Sequence, residues 1–176
     1  DPADIIDFFD IPEVSNDTDQ TIWNKFVFVR NHFKNSPRPI NITGTSAAAA
    51  NNFVDSDPDG IGRFWRNLIG GSAAIQFQNP DSRSGLNVKA ISCIKTARKI
   101  ETMVQFWSMQ PYNNLLSELT GNTSYVSADI GRSYVVYIPS GGEVTLDVSD
   151  AENPLELFWF EIDPAVMGKR NAQFPE

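Results

Sequence analysis

Residues 62–80 read Gly-Arg-Phe-Trp-Arg-Asn-Leu-Ile-Gly-Gly-Ser-Ala-Ala-Ile-Gln-Phe-Gln-Asn-Pro, and this stretch decides the fold. Its first half has the apolar spacing of a short amphipathic helix. Gly70 and Gly71 predict the end of that helix, because glycine adopts positive φ at no steric cost. Residues 72–77 are short and apolar, which is typical of a strand covered on both faces. Polar residues follow, and ligands bind at the carboxyl ends of parallel strands.

Elements of the same two kinds alternate on both sides of this stretch. Strands are predicted at 5–11, 40–44 and 72–77, and helices at 20–33, from Pro58 after an Asp57 cap, and at 86–109. The last helix is the longest, with apolar residues at every third or fourth position. Alternation of strand and helix predicts a parallel sheet with crossover helices. Three βα units are too few to close a barrel, which takes about eight.

The periodicity changes in the C-terminal third of the chain. Strands are predicted at 125–130, 133–139, 144–148 and 155–162, and the short connections between them predict antiparallel pairing. Gly141 and Gly142 predict a hairpin turn between the second and third of these strands. We therefore expect a partial barrel region over 1–115, an antiparallel β region over 116–163 and a tail without periodicity over 164–176.

Composition narrows the possible functions. The 176 residues carry a net charge of −8, so no basic footprint for nucleic acid is expected. No apolar run approaches the roughly 20 residues of a membrane span, and no signal peptide opens the chain. The start at Asp1, without Met, suggests a processed, trimmed or partial chain. These features do not assign a cellular location.

The chain has too few cysteine and histidine residues for a disulfide or a cysteine-based zinc site. With Cys93 as its single cysteine and His32 as its single histidine, the chain has no internal disulfide and no Cys-based zinc site. The acidic run at 55–60 has calcium-loop spacing but lacks the glutamate at the twelfth position, so it indicates a helix start. We expect no metal and no cofactor. Cys93 lies among apolar residues and is interpreted as a buried, inert thiol rather than a reactive one.

Several segments, taken in order, resemble a bacterial glycoside-hydrolase-like family. They are 37–41 (Pro-Arg-Pro-Ile-Asn), 63–77, 92–98 (Ser-Cys-Ile-Lys-Thr-Ala-Arg), 111–117 (Pro-Tyr-Asn-Asn-Leu-Leu-Ser), 134–142 (Tyr-Val-Val-Tyr-Ile-Pro-Ser-Gly-Gly) and 144–147 (Val-Thr-Leu-Asp). Members of that family have a TIM-type (β/α)8 barrel followed by a β-sandwich. The resemblance implies that this chain, classed as α/β plus β, holds the last three βα units of the barrel as an open parallel sheet. An incomplete antiparallel β-sandwich would follow.

The chain departs from the family at the end of its third strand. The family typically has Arg-Phe-His-Arg-Pro there, whereas residues 76–80 are Gln-Phe-Gln-Asn-Pro. Barrel glycosidases of this kind use two carboxylates, one of them from an earlier strand that this chain lacks. The candidate catalytic carboxylates are Asp10 and Glu13, at the predicted exit of the first strand, although solvated loop charges are the more common role for such residues. The candidate substrate-binding residues are Asn41, Gln76, Gln78 and Asn79.

Two functions follow from these patterns. The chain is either a fragment or degenerate member of a carbohydrate-active, glycoside-hydrolase-like protein that is inactive alone, or a non-catalytic carbohydrate-binding or assembly module. A three-stranded parallel sheet has two unpaired edges and one helix-free face, so we expect self-association. Arg63 and Arg66 have the spacing to clamp an anion, but more often such residues flank an apolar face and pair with acids such as Asp57 or Asp59. Three tryptophans are expected in the core: Trp65, Trp107 and Trp159. Trp65 and Trp107 could instead stack on sugars, but both fit the apolar spacing of their helices, which favours core packing.

Overall fold

The computed structural model describes residues 7–12, 19–45, 58–77, 86, 88–117, 124–139 and 141–162. Over these residues the protein has mixed α/β structure, with one parallel sheet, three α-helices and two antiparallel sheets. The expected combination of α/β and β structure is thereby confirmed. The described strands form open sheets and no closed barrel.

The parallel sheet contains three strands in sequential order. They are β1 (Phe9–Pro12), β2 (Ile40–Thr45) and β3 (Ala74–Phe77), with β2 in the centre. Helix α1 (Asp19–His32) connects β1 to β2, helix α2 (Pro58–Gly70) connects β2 to β3, and helix α3 (Val88–Glu101) follows. The strand–helix alternation predicted from the sequence is therefore correct. The register between β2 and β3 shifts between Ile42 and Thr45.

One face of the parallel sheet packs against the helices. Ile40 and Ile42 are buried there in contact with Phe26 of α1, and Ile11 packs beside them. Because side chains alternate along a strand, Asp10, Asn41 and Ala74 point to the opposite face. Asp10 and Ala74 are exposed and Asn41 is half-buried. We call this side of the sheet the open face.

The antiparallel region is built from short strands. β4 (Gln110–Pro111), β6 (Tyr125–Asp129) and β7 (Ser133–Tyr137) form one sheet in the order β4-β6-β7. β5 (Leu116–Ser117) pairs with β8 (Thr145–Leu146) in another. The predicted antiparallel pair at 125–130 and 133–139 is confirmed, and Gly131 takes a φ of 84° in its turn.

Two expectations for this region are wrong. Gly141 and Gly142 have positive φ, but they do not form a hairpin, since the following strand β8 pairs with β5 and not with β7. Residues 155–162 are not a strand. Instead the Ser92 hydroxyl of α3 donates a hydrogen bond of 2.7 Å to the carbonyl of Ile162. Phe160 and Ile162 pack against the core, while Trp159, expected in the core, is 43% exposed.

Helix α3 ends eight residues earlier than its apolar spacing predicts. The amides of Thr102 and Met103 donate to carbonyls three residues back, which tightens the last turn, and the Thr102 hydroxyl also donates to the carbonyl of Lys99 at 2.7 Å. Trp107 consequently lies outside the helix and is 74% exposed. The expectation that Trp107 is a core residue is wrong.

Helix α2 is the centre of the fold. It contacts β2 and β3 of the parallel sheet as well as β4, β6 and β7 of the antiparallel one. Helix α2 is amphipathic as expected, but five consecutive side chains, from Arg63 to Asn67, are buried, so its polar side is covered as well. Arg63 and Arg66 are 5% and 1% exposed. The side chains of Asp57 and Asp59, proposed as their partners, lie outside the described residues.

Aromatic side chains connect the helices to the antiparallel sheet. The ring of Trp65 stacks near Tyr137 of β7, with centroids 6.3 Å apart, and Trp23 of α1 contacts Tyr125 of β6 at 4.9 Å. Cys93 of α3 is completely buried in the same cluster. Burial raises the pKa of the Cys93 thiol to about 11. The prediction of a buried, inert thiol is confirmed.

Candidate functional site

Two of the predicted site residues lie next to each other on the open face. Asp10 of β1 and Asn41 of β2 are in register, and Asn41 is in register with Ala74 of β3. Neighbouring strands are about 4.8 Å apart, so the carboxylate of Asp10 and the amide of Asn41 present adjacent polar groups. Each is the second residue of its strand. Asp10 therefore lies within β1 and not at its exit, because the strand continues to Pro12.

The other predicted site residues are placed less completely. Gln76 belongs to β3, two residues after Ala74, and its side chain lies outside the described residues. Glu13, Gln78 and Asn79 also lie outside them. The structure therefore brings together Asp10 and Asn41, with Gln76 on the neighbouring strand. It does not test the remaining three.

The chemistry of the open face is set by one strand carboxylate and the amide of Asn41 beside it. Asp10 is the only acidic residue in the three parallel strands. Glycoside hydrolysis generally needs a pair of carboxylates, one to donate a proton and one to act as base or nucleophile. A single exposed carboxylate beside amide side chains can accept and donate hydrogen bonds to hydroxyl groups. The three described parallel strands contain no second carboxylate that could complete such a pair.

A concave surface lies on the helix-covered side of the sheet. This groove has a volume of about 700 Å³, within the usual range of ligand sites. Its walls are the last turn of α1 with the segment leading into β2, residues 71–75 before and within β3, the C-terminal half of α3, and residues 106–110. It opens at the amino ends of β2 and β3. The sequence rule that points to the carboxyl ends of strands could not locate it.

The groove is cationic although the chain is acidic. Arg30, Lys34, Arg38 and Arg98 line it, together with one carboxylate, that of Glu101. The chain has 14 Lys and Arg residues in total and a net charge of −8. Glu101 is already paired with Arg98 at 2.6 Å. The described lining therefore carries a clear excess of positive charge.

Arg30 lies at the base of the groove. Its Nη1 donates to the carbonyl of Gly71 at 3.2 Å and its Nη2 to the carbonyl of Met109 at 3.3 Å, both long for a hydrogen bond. Burial lowers the pKa of the Arg30 guanidinium, the principal cause being desolvation of its charge. No described carboxylate forms an ion pair with it. A half-buried cation is thus held by neutral acceptors only.

Gly71 makes room for this guanidinium. It has a φ of 91°, and a Cβ at this position would collide with the terminal nitrogen of Arg30. The double glycine was recognised in the sequence as a helix stop. Its second role, accommodating an arginine 41 residues away, carries no sequence signal. The groove is not predicted as a site because its residues come from five separate segments.

Other classes of site were sought among the described residues. No three His, Cys, Asp or Glu side chains in that part of the chain are grouped so as to hold a metal ion. None of its helices combines the length and hydropathy needed to cross a membrane.

Comparison with known proteins gives no assignment. The chain matches no model of a known family, no curated protein and no solved structure. The arguments for function therefore come from the residues themselves.

Proposed function

We propose that this chain is a non-catalytic carbohydrate-binding part of a glycoside-hydrolase-like protein. The observation that carries the proposal is the open face, where Asp10 and Asn41 lie in register with no second acidic residue in the three strands. Carboxylate and amide groups bind sugar hydroxyls well, and hydrolysis needs a carboxylate pair. The amides at Gln78 and Asn79, where the resembling family has His and Arg, support binding over catalysis in the same way.

The finer architecture is part of the proposal. We infer that β1 to β3 correspond to the last three strands of a TIM-type barrel, and that the antiparallel strands correspond to the beginning of a β-sandwich. The sequential order β1-β2-β3, with both connecting helices packed on one side, is the arrangement of a barrel wall and supports this inference. In such a wall the open face would be the interior of the barrel.

The same architecture leads us to propose self-association. β1 and β3 each have one pairing edge without a partner among the described strands, and exposed strand edges favour pairing with another chain. Light scattering after size exclusion tests this proposal. Dimers or larger species at micromolar concentration are expected, and a monodisperse monomer with cooperative unfolding would instead favour a self-contained fold.

Carbohydrate binding is tested with neutral oligosaccharides and aryl glycosides in parallel. We expect cellotriose, maltotriose or xylotriose to bind, and the Asn41→Ala and Asp10→Asn variants to bind about tenfold more weakly, since each loses hydrogen bonds to the sugar. The matched controls are Asn31→Ala and Asp150→Asn, which alter exposed residues outside the sheet. Binding by all variants alike would contradict the assignment of the open face.

The enzymatic alternative predicts a different result in the same experiment. Hydrolysis of aryl glycosides that is lost in Asp10→Asn or Glu13→Gln would show that the chain is catalytic. Binding without turnover supports the proposal. Absence of both binding and turnover with all probes would leave assembly as the remaining function and would contradict a carbohydrate-binding role.

A further inference from the structure

The groove contains an arginine, Arg30, that makes only long hydrogen bonds to neutral acceptors among the described residues. A guanidinium has five N–H donors, and the two bonds that Arg30 makes go to neutral carbonyls at 3.2 and 3.3 Å. Charge-assisted bonds to a carboxylate are shorter and roughly twice as strong. An incoming carboxylate would therefore replace weak interactions of Arg30 with strong ones.

Trp107 supplies the second element of a ligand site at the same groove. It is 74% exposed, in the segment whose backbone is tied to Arg30 through the carbonyl of Met109. An exposed indole is costly to leave in water and offers a flat apolar face to a ring. Trp107 and Arg30 thus line one groove, one as a platform and the other as a cation.

The number of cations in the groove favours a ligand with several carboxylates. Lys34 and Arg38 come from the α1–β2 connection, Arg98 from α3 and Arg30 from the last turn of α1. Arg98 is already paired with Glu101, which leaves an excess of positive charge on the α1 side. A chain of sugar rings that each carry a carboxylate would offer several charges to these cations and one apolar ring face to the indole.

We propose that the groove binds an acidic oligosaccharide made of uronic acid residues, with Arg30 pairing with a carboxylate and Trp107 stacking on a sugar ring. This site is separate from the open-face site: Asp10 and Asn41 do not line the groove, and the two sites take ligands of different charge. It is therefore independent of the proposed binding of neutral sugars. Affinity should fall with salt, since most of the cations are exposed or half-buried.

Calorimetric titration of the whole chain with trigalacturonate tests the proposal. We expect measurable binding to the unaltered chain and a loss of about tenfold or more in Trp107→Ala and Arg30→Gln. Trp159→Ala and Arg132→Gln are the matched controls, because they remove an exposed tryptophan and an exposed arginine that do not line the groove. Both controls should bind as the unaltered chain does. Lys34→Gln, at an exposed position, serves as a further groove variant that leaves the fold intact.

Two further ligands make the result decisive. The methyl-esterified trimer has the same rings without the charges, and it should bind at least tenfold more weakly than trigalacturonate. Triglutamate has the same net charge without the sugar rings, and it should also bind more weakly. Equal affinity for the ester, tighter binding of the peptide, or equal loss in Trp107→Ala and Trp159→Ala would each overturn the proposal.

Discussion

The open face and the groove are two sides of the same small sheet, and they are built in opposite ways. The open face takes its polar groups from strand residues, Asp10 and Asn41, whose position follows from register alone. The groove takes its groups from the ends of α1 and α3 and from two connecting segments. The first surface can be read from alternation along three strands. The second exists only after the helices and connections have packed.

Helix α2 supports both surfaces. It contacts the strands that carry the open face, and its residues Phe64 and Leu68 line the groove. Through Trp65 it also contacts the antiparallel region. A difference between the two surfaces can therefore be measured only with variants that leave α2 in place.

Removing Trp65 is the change with the largest expected effect, because it should destabilise the helix that supports both surfaces. Trp65 is 1% exposed and packs against Phe64 and Tyr137. We expect Trp65→Ala to lower the free energy of unfolding by about 3–5 kcal/mol, measured by urea denaturation. Trp107→Ala, which removes an exposed ring of the same type, should change it by less than about 0.5 kcal/mol. Similar losses in the two variants would contradict the central role of α2.

Cys93 tests the shared core through pH. Burial raises the pKa of this thiol from 9.0 to about 11, so the folded state retains a proton that the unfolded chain releases. The protonated thiol of Cys93 contributes fully to the free energy of unfolding below pH 9. This contribution is lost as the pH rises through the folded-state pKa, and the free energy of unfolding falls by about 3 kcal/mol in total. Urea denaturation at pH 8 and pH 10.5 should therefore show a larger decrease for the unaltered chain than for Cys93→Ala. An identical decrease in both would contradict the buried thiol.

Gly71 offers a way to disturb the groove while leaving the open face intact. Gly71 and Gly141 both have positive φ, but only Gly71 faces an obstacle, the guanidinium of Arg30. Gly141→Ala should cost about 1 kcal/mol in free energy of unfolding, and Gly71→Ala about 1 kcal/mol more, because the flexible guanidinium of Arg30 must move aside and give up its two long hydrogen bonds. Adding Arg30→Ala should bring the cost of Gly71→Ala close to that of Gly141→Ala, which a double-mutant cycle measures. Additive costs would show that Arg30 does not press against Gly71.

The sequence alone predicts those helices and strands whose apolar spacing agrees with their capping and turn residues. The β–α alternation, the start of α2 at Pro58 and the antiparallel pair around Gly131 were all predicted, because capping residues, turn residues and apolar spacing agree there. Helix α3 was extended too far because the apolar spacing continues beyond Glu101. Local hydrogen bonds at Thr102 and Met103 end the helix, and spacing does not report them.

The two surfaces also differ in how far the sequence predicts them. Asn41 and Asp10 were identified from their strands, and the register placed them side by side. Arg30 carries no such signal, since it is one cation in a helix. The sequence allows Trp107 to stack on sugars, but its spacing favours a core residue. Burial of Arg63 and Arg66 was likewise unexpected, because sequence position on a helix does not reveal that a second sheet covers its polar side.

A pair of titrations on one isotope-labelled sample, monitored by amide and indole NMR shifts, tests directly whether the two surfaces bind different sugars. Cellotriose, maltotriose or xylotriose should shift the amides of β1 and β2 around Asp10 and Asn41, with no product formed. Trigalacturonate should shift the Trp107 indole and the segment around Gly71. Separate sets of shifted signals are the predicted result. Shifts of the same residues by both kinds of sugar, or by neither, would contradict two distinct binding surfaces on the two sides of the sheet.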